Sequence, residues 1–258
     1  MYNPENYFPA LLIVCPFVFL GGIVDAVAGG GGLITLPAYL LAGLPPHLAS
    51  GTNKCGNAFG TFLSTGRFIR QGSIHIPSAV AGGTGALAGT WIGSKLNLIV
   101  PDQYLYYVML AVVPVMAAFL LFHRDFGAEN QSHNLNKRRL LLLYLIIGLV
   151  IGGYDGFFGP GAGTFLMLAY TGLCKFDLLT ASGNTKVSNS ASNAASLLSF
   201  SMEGQVLWSI GIPAALCGIL GNYVGSSLAL HGGRRIIRPM FFVVLTLLLI
   251  RLAGGIWG

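Results

Sequence analysis

Two short polar segments of this chain carry the residue types that could bind a small anion. ASGTNKCGN occupies residues 49–57, and the near copy ASGNTKVSN occupies residues 181–189. Each segment places one lysine, Lys54 or Lys186, among hydroxyl and carboxamide side chains, with apolar sequence on both sides. Because a charge is costly to embed in apolar surroundings, such residues usually have a function. We therefore predict that the two segments form the two halves of one buried anion site.

The two segments also indicate how the backbone would help to bind the anion. A helix that starts at Ser50-Gly51 or Ser182-Gly183 would direct free N–H groups and its positive dipole end toward the site. The alternative is that the serines are ordinary N-caps and that the lysine side chains extend to the membrane interface. The predicted substrate-binding residues of the segments are Ser50, Gly51, Thr52, Asn53, Lys54, Asn57, Ser182, Gly183, Asn184, Thr185, Lys186 and Asn189.

A matched pair of aspartates, Asp25 and Asp155, precedes the two segments. Asp25 is followed by the run GGGG, and Asp155 is followed by the turn GPGAG. Such turns interrupt helices and leave N–H groups unpaired, so Gly31 and Gly161 join the predicted substrate-binding residues. The carboxylates could pair with the lysines, or titrate and so carry protons. Alternatively, each carboxylate could hold its own turn by accepting the glycine N–H groups.

The composition is typical of a membrane protein. Hydrophobic residues make up 54% of the 258 residues and charged residues only 9%, whereas a soluble domain would need about a quarter charged. The net charge of +6 does not indicate nucleic acid, because nine of the 14 lysines and arginines fall in short gaps between apolar runs, as membrane orientation signals do. There is no GxSxG, Walker or paired-carboxylate motif, and the histidines and cysteines lack metal-binding spacing. We expect no enzyme activity, no cofactor and no metal.

The apolar runs predict the helices that position the site. Residues 10–28 form a first span that breaks at the glycine run, and residues 33–44 are too short to cross about 30 Å of hydrocarbon. Residues 50–68 begin with polar side chains, which favours a second half-element. The two short pieces together form a broken or re-entrant helical hairpin. Two further runs, residues 74–96 and 104–122, are long enough to span.

The second half of the chain repeats the first. Adding 130 to the residue number takes Asp25 to Asp155, and adding 132 takes Lys54 to Lys186. Over residues 49–96, 12 of the 48 positions are identical to those 132 residues later, mostly at small or polar side chains. The predicted organisation is an N-terminal repeat over residues 1–123, a cytoplasmic linker over 124–138 and a C-terminal repeat over 139–258.

Two glycine pairs at equivalent places in the repeats predict close helix packing. These are Gly89-x-x-x-Gly93 and Gly221-x-x-x-Gly225. Small residues four apart leave one face of a helix without side chains, so a neighbouring backbone can approach it.

Positive charge sets the predicted orientation of the repeats. Arg67 and Arg70 follow the hairpin of the first repeat, and the matching stretch of the second repeat has no basic residue. Conversely, residues 228–238 carry three arginines where the first repeat is poor in positive charge. Placing the arginine-rich gaps in the cytoplasm inverts one repeat relative to the other. The predicted fold class is an all-α polytopic membrane protein with two inverted-topology repeats, each with about three spanning helices plus the hairpin, and about 8 to 10 transmembrane segments in total.

These features resemble those of the TauE/SafE sulfite exporter family of bacterial permeases. The resemblance is carried by Asp25 with its glycine run, by SGTNK at residues 50–54, by SGNTK at residues 182–186, and by the duplicated arrangement of the whole chain. It implies a multi-pass inner-membrane transporter of small sulfur-containing anions such as sulfite or organosulfonates.

The resulting hypothesis is a secondary transporter, specifically an exporter, that moves a sulfite- or organosulfonate-type anion by alternating access between inverted repeats. Protons could be coupled to transport through Asp25 or Asp155. The alternatives are a passive anion channel or facilitator and a transporter of another small carboxylate anion. The expected partners are the anionic substrate and the lipid bilayer of the bacterial inner membrane, without nucleic acid. Homodimer formation is left open by the sequence.

Overall fold

The computed structural model describes residues 7–101, 104, 130, 132, 136–233 and 235–237. Within these ranges the regular structure is helical and contains no strand. The helices are α1 Tyr7–Ala28, α2 Gly32–Leu41, α3 Pro46–Arg70, α4 Ile76–Ile99, α5 Lys137–Phe157, α6 Ala162–Gly172, α7 Leu178–Met202 and α8 Trp208–Gly232. The predicted all-α class is confirmed for the described part of the chain.

Glycines break the chain between α1 and α2 and again between α5 and α6. Gly29 has φ 74° and Gly159 has φ 98°, a backbone conformation that residues with a Cβ rarely adopt. Each break is followed by a short helix, of 10 residues in α2 and 11 residues in α6. The predicted break at the glycine run and the predicted half-helix after it are confirmed.

The prediction of a short element at residues 50–68 is wrong. Helix α3 begins at Pro46 and has 25 residues, so at about 37 Å it is as long as a bilayer-spanning helix. Its counterpart α7 also has 25 residues and is capped by Asp177, whose carboxylate accepts the N–H groups of Leu179 and Thr180 at 3.0 Å. The polar residues that suggested a helix start are the inward-facing side chains of a longer helix.

The basic run at residues 137–139 belongs to α5 rather than to the connection before it. Asn136 caps this helix by accepting the N–H of Arg138 at 3.0 Å. Helix α5 therefore begins before the predicted end of the linker over residues 124–138, and the segment before it ends two residues earlier, at Asn136. The rest of the linker, apart from residues 130 and 132, and the predicted span at 104–122, apart from residue 104, lie outside the described residues.

Apolar side chains cover the outer surface of the bundle. Among the described helices, α1, α5 and α8 are long and apolar enough to cross a membrane. Their exposed large side chains include Phe8, Leu12, Phe17, Leu20, Leu142, Leu145, Ile146, Leu149, Val150, Trp208, Ile212, Leu216 and Leu220. An apolar surface of this extent fits lipid and not water. Together with the apolar helices, it marks the chain as a membrane protein.

Helices α3 and α7 place their polar side chains inside this apolar layer. Helix α3 packs on α8, and α7 packs on α4, while α3 and α7 also pack on each other. The buried polar residues of the two helices include Thr52, Asn53, Lys54, Thr61, Ser64, Ser182, Asn184, Lys186, Ser188, Asn189, Ser192, Asn193 and Ser196. The bundle therefore has a polar interior, which is where a polar substrate could be held.

Glycines bring other helices together backbone to backbone. Helix α4 packs along α5, and α1 packs along α8. A Cβ at Gly89 would overlap the Leu149 carbonyl, and one at Gly93 would overlap the Gly153 carbonyl. In the same way, side chains at Gly221 and Gly225 would overlap the carbonyls of Phe19 and Ile23. The predicted close packing at both G-x-x-x-G pairs is confirmed.

Candidate functional site

Two lysine–aspartate ion pairs lie inside the bundle, and each connects one half of the chain to the other. Lys54 Nζ on α3 lies 2.8 Å from Asp155 Oδ1 on α5. Lys186 Nζ on α7 lies 3.2 Å from Asp25 Oδ2 on α1 and also donates to the Asp25 main-chain carbonyl. Of the alternatives left open by the sequence, pairing of the aspartates with the lysines is the one observed. The alternative, in which the carboxylates hold the glycine turns, is wrong, because within the described residues neither carboxylate accepts a glycine N–H.

Both lysines are enclosed by the bundle. The Lys54 side chain is 8% exposed and the Lys186 side chain is 0% exposed. The alternative in which they extend to the membrane interface is therefore wrong. A buried charge of this kind is tolerated only with a partner that compensates for the lost water. The aspartate of the opposite half supplies that partner in each case.

A cavity adjoins the ion pairs at the level of the two helix breaks. Its empty space is about 380 Å³, including the part open to solvent. Four carboxamides contribute to its wall, and Asn57 Nδ2 donates to Asn53 Oδ1 at 2.9 Å. The lining residues are Asp25, Gly29, Gly32, Asn53, Lys54, Asn57, Asp155, Gly159, Gly163, Asn189 and Asn193. Lys186 is absent from this wall and lies behind Asp25.

The first residues of the two repeated segments serve contacts between helices. Because α3 and α7 start one turn earlier than predicted, the N–H groups of Ser50-Gly51 and Ser182-Gly183 lie within helices and do not face the cavity as free helix ends. Gly51 packs against the Gln205 carbonyl, and Gly183 packs against the Ser73 carbonyl. The predicted helix-start anion site is thus wrong, although the segments themselves reach the site.

Thr52 and Asn184 occupy equivalent positions and make equivalent bonds. Thr52 Oγ1 accepts the N–H of Leu207 at 2.9 Å, just before α8. Asn184 Oδ1 accepts the N–H of His75 at 3.0 Å, just before α4. Thr52, in the first half, therefore pairs with a backbone N–H at the start of α8 in the second half. Asn184, in the second half, pairs with one at the start of α4 in the first half. Neither residue lines the cavity.

The other predicted residues divide between the cavity and the surrounding packing. Asn53, Lys54, Asn57 and Asn189 face the cavity. Thr185 is buried, and within the described residues its hydroxyl has no hydrogen-bond partner. Gly31 packs against Gly21 and Asp25 of α1, and Gly161 is the left-handed residue before α6, with φ 82°. The glycines that reach the cavity are their neighbours Gly29, Gly32, Gly159 and Gly163.

Three functional candidates were missed by sequence reasoning. Asn193 lines the cavity, and its Nδ2 donates to Thr61 Oγ1 at 3.2 Å. Ser192 donates to the second oxygen of Asp155, Oδ2. Thr61 and Asn193 each follow a predicted asparagine by four residues, so a helical period continued along α3 and α7 was a signal for them. Ser192 had no such signal, because its equivalent in the first half is Gly60.

The site can bind an anion only if a lysine becomes free to contact it. Two lysines and two aspartates in their ionised forms leave no net charge. A cation paired at 2.8 Å is already compensated. Protonation or displacement of one carboxylate would release its lysine, and the carboxamides could then donate N–H groups to the oxygens of the anion.

Comparison with known proteins identifies the family. Residues 14–252 match the model of the family described as Sulfite exporter TauE/SafE. The chain is 34% identical over 245 residues to a probable membrane transporter protein, ORF9, of Sinorhizobium sp, covering 95% of this chain and 93% of that protein. It is 35% identical over 237 residues to the probable membrane transporter protein YfcA of Escherichia coli K12, covering 92% and 87%.

A third relative, from Haemophilus influenzae, is also described as a probable membrane transporter protein. It is 34% identical over 230 residues, covering 88% of each chain. No solved structure matches the chain. The match to the family extends over both ion pairs and both helix breaks. The protein therefore belongs to the TauE/SafE family, whose relatives here are described as probable membrane transporters.

Proposed function

We propose that the protein is a secondary transporter of small anions of the sulfite and organosulfonate type. The observation that carries this proposal is the cavity beside two exchanged lysine–aspartate pairs, whose wall contains Lys54, both aspartates and four carboxamides. Such a wall offers one cation and several N–H donors to a small oxyanion. Family membership supports a sulfur oxyanion as the substrate class, since the family is described by sulfite export. We place the protein in the bacterial inner membrane as a multi-pass exporter.

The transport cycle we propose is alternating access between two inverted repeats. Helix lengths support this duplication, since α1 to α4 have 22, 10, 25 and 24 residues and α5 to α8 have 21, 11, 25 and 25. Contacts recur in the same reciprocal way: α4 with α5 corresponds to α8 with α1, and α3 with α8 corresponds to α7 with α4. Inverted-repeat transporters bind substrate at the interface between their repeats, and a cavity beside the reciprocal ion pairs supports the same arrangement here.

Binding of the anion tests the proposal directly. Purified protein would be screened by thermal shift against sulfite, sulfate, thiosulfate, methanesulfonate and lactate, because a ligand that binds the folded state raises the melting temperature. We expect sulfite or methanesulfonate to stabilise the protein most. A response to lactate alone would replace sulfur oxyanions with a carboxylate substrate.

Lys54→Gln is the first variant to test, because its amide keeps most of the side-chain length without the charge. We expect loss of anion binding and of flux into proteoliposomes. Lys95→Gln is the matched control, because Lys95 is 38% exposed and pairs with Glu203 on the surface. Wild-type flux in Lys54→Gln would contradict the proposed site. Flux that no ion gradient can drive uphill would instead make the protein a passive facilitator.

A further inference from the structure

The two aspartates of the site differ in what they contact besides lysine. Ser192 Oγ donates to Asp155 Oδ2 and lies 2.7 Å from Thr90 Oγ1. Thr90 Oγ1 in turn donates to the Gly152 carbonyl at 2.8 Å. Within the described residues, the Asp25 carboxylate has no hydroxyl partner, and its hydrogen-bond donor is the Lys186 ammonium. The Asp155 carboxylate therefore lies at one end of a hydrogen-bonded chain of two hydroxyl groups, and the Asp25 carboxylate has no such chain.

A chain of hydroxyls can serve both protonation states of a carboxyl group. A hydroxyl donates one hydrogen bond and accepts others, so it can turn from donor to acceptor. When Asp155 is ionised, Ser192 donates to it. When Asp155 carries a proton, its O–H can donate to Ser192, Ser192 to Thr90, and Thr90 to the Gly152 carbonyl. No buried donor is left unpaired in either state, which is the condition for a buried group to titrate at low cost.

The first half of the chain has no room for an equivalent chain. The position equivalent to Ser192 is Gly60, and a Cβ there would meet the Asn222 carboxamide at 2.5 Å and the Gly218 carbonyl at 2.6 Å. The position equivalent to Thr90 is Asn222, whose Oδ1 is already taken by Ser64 Oγ at 3.0 Å. The difference between the two aspartates is therefore built into the packing.

The lysines differ in the same sense. Lys186 is 0% exposed, and within the described residues the acceptors of its ammonium group both belong to Asp25. A neutral Asp25 would leave this enclosed cation without a counter-charge. Lys54, in contrast, lines the cavity. A bound anion can replace Asp155 as its partner.

We propose that Asp155 is the proton-carrying carboxylate of the transporter and that Asp25 stays ionised as the fixed partner of Lys186. This inference rests on the proposed anion transport and names its coupling group. One proton adds to an oxygen of Asp155, and the new O–H donates a hydrogen bond to Ser192 Oγ. Lys54 then forms its ion pair with a bound monoanion in place of Asp155. Release of the anion returns Lys54 to Asp155, which gives the proton up. One proton thus moves with one monoanion, and the site stays neutral.

The charged groups around Asp155 are few. Lys54 faces it from α3, while Asp25 on α1 shares the cavity and Lys186 on α7 lies behind Asp25. Helix α6 has no charged residue, and the single charged residue of α4 is Lys95, which pairs with Glu203 on the surface at 2.6 Å. Protonation of Asp155 is therefore governed by Lys54, by the bound anion and by the Ser192 hydroxyl.

Asp155→Asn tests the inference in proteoliposomes. Methanesulfonate is the probe, because its charge does not change with pH in the working range. We expect Asp155→Asn to lose accumulation driven by an imposed pH gradient, and any exchange of internal for external methanesulfonate that it retains to be independent of pH. Accumulation that still follows the pH gradient in Asp155→Asn would overturn the assignment. Absence of methanesulfonate flux in the wild-type protein would contradict the proposed function instead.

Infrared spectroscopy tests the same assignment without transport. Acidifying the wild-type protein should produce a protonated-carboxyl C=O band that is absent in Asp155→Asn and kept in Asp25→Asn. Ser192→Ala should move the pH midpoint of this band by roughly half a unit or more, since a hydroxyl bonds an ionised carboxylate more strongly than a neutral carboxyl group. Ser196→Ala is the control, because Ser196 is buried one turn away and bonds to Ser94 at 3.1 Å. A band that survives in Asp155→Asn, or equal midpoints in the two serine variants, would contradict the inference.

Discussion

The two ion pairs have the same residue types and equivalent positions, yet they are held in different ways. Lys54 and Asp155 are both 8% exposed and both line the cavity. Lys186 is fully enclosed, and its partner Asp25 is 14% exposed. Asp25 also lines the cavity, so the pairs differ in the lysine: our proposal is that the pair with the accessible lysine exchanges its partner and the pair with the enclosed lysine stays fixed. The stabilities of three variants test this difference, and they are described from the largest expected loss to the smallest.

Asp25→Asn should have the largest effect on folding. It leaves the Lys186 ammonium buried without a counter-charge, which we expect to cost about 3–5 kcal/mol. The measurement is the free energy of unfolding in detergent, or the melting temperature where unfolding is irreversible. Asp25→Asn with Lys186→Met should recover much of the loss, because both charges are then gone. A single variant as stable as the wild-type protein would remove the fixed role of this pair.

Asp155→Asn should cost less, about 1–3 kcal/mol, because Lys54 remains next to the cavity where water or an anion can reach it. Added methanesulfonate should restore part of this stability, since a ligand that binds the folded state stabilises it by mass action. The same addition should not rescue Asp25→Asn. If both variants were equally destabilised and equally unresponsive to anion, the two pairs would be equivalent after all.

Lys95→Gln should have the smallest effect, at most about 1 kcal/mol. Lys95 and Glu203 are 38% and 49% exposed, and exposed ion pairs of this kind contribute little. The melting temperatures of Lys95→Gln and Asp155→Asn are measured side by side. Their comparison shows how much stability is lost when a charge outside the cavity is removed. A loss as large as that of Asp155→Asn would show that burial does not explain the difference between the pairs.

Much of the site could be predicted because it is duplicated. Lys54, Lys186, Asp25 and Asp155 stood out as charges repeated at equal spacing in an apolar chain. Pairing of the aspartates with the lysines was one of the alternatives open from the sequence. The Nζ–Oδ distances in the structure decide in its favour. The reciprocal exchange of partners between the halves could not be inferred from the sequence, because it depends on how α3 and α7 pack on helices remote in the chain.

The helix starts could not be predicted by the same argument. Polar residues at Ser50 to Asn53 are typical of a helix N-terminus in a soluble protein, but in a membrane they also mark the inward face of a long helix. The proline at Pro46 was the better signal for the start of α3, since proline is favoured in the first turn. Ser192 lay beyond the reach of an argument from repeats, since Gly60 occupies its equivalent position.

The glycine contacts between helices have a consequence for movement. Backbones that touch at Gly89, Gly93, Gly221 and Gly225 cannot slide past one another without clashes with the facing carbonyls. We therefore expect helix α4 to move with α5, and α1 with α8, in the proposed transport cycle. Each of these two rigid bodies takes one helix from each half of the chain. In the proposed alternating access, the protein would therefore open between these two bodies, and each moving body would combine helices of both repeats.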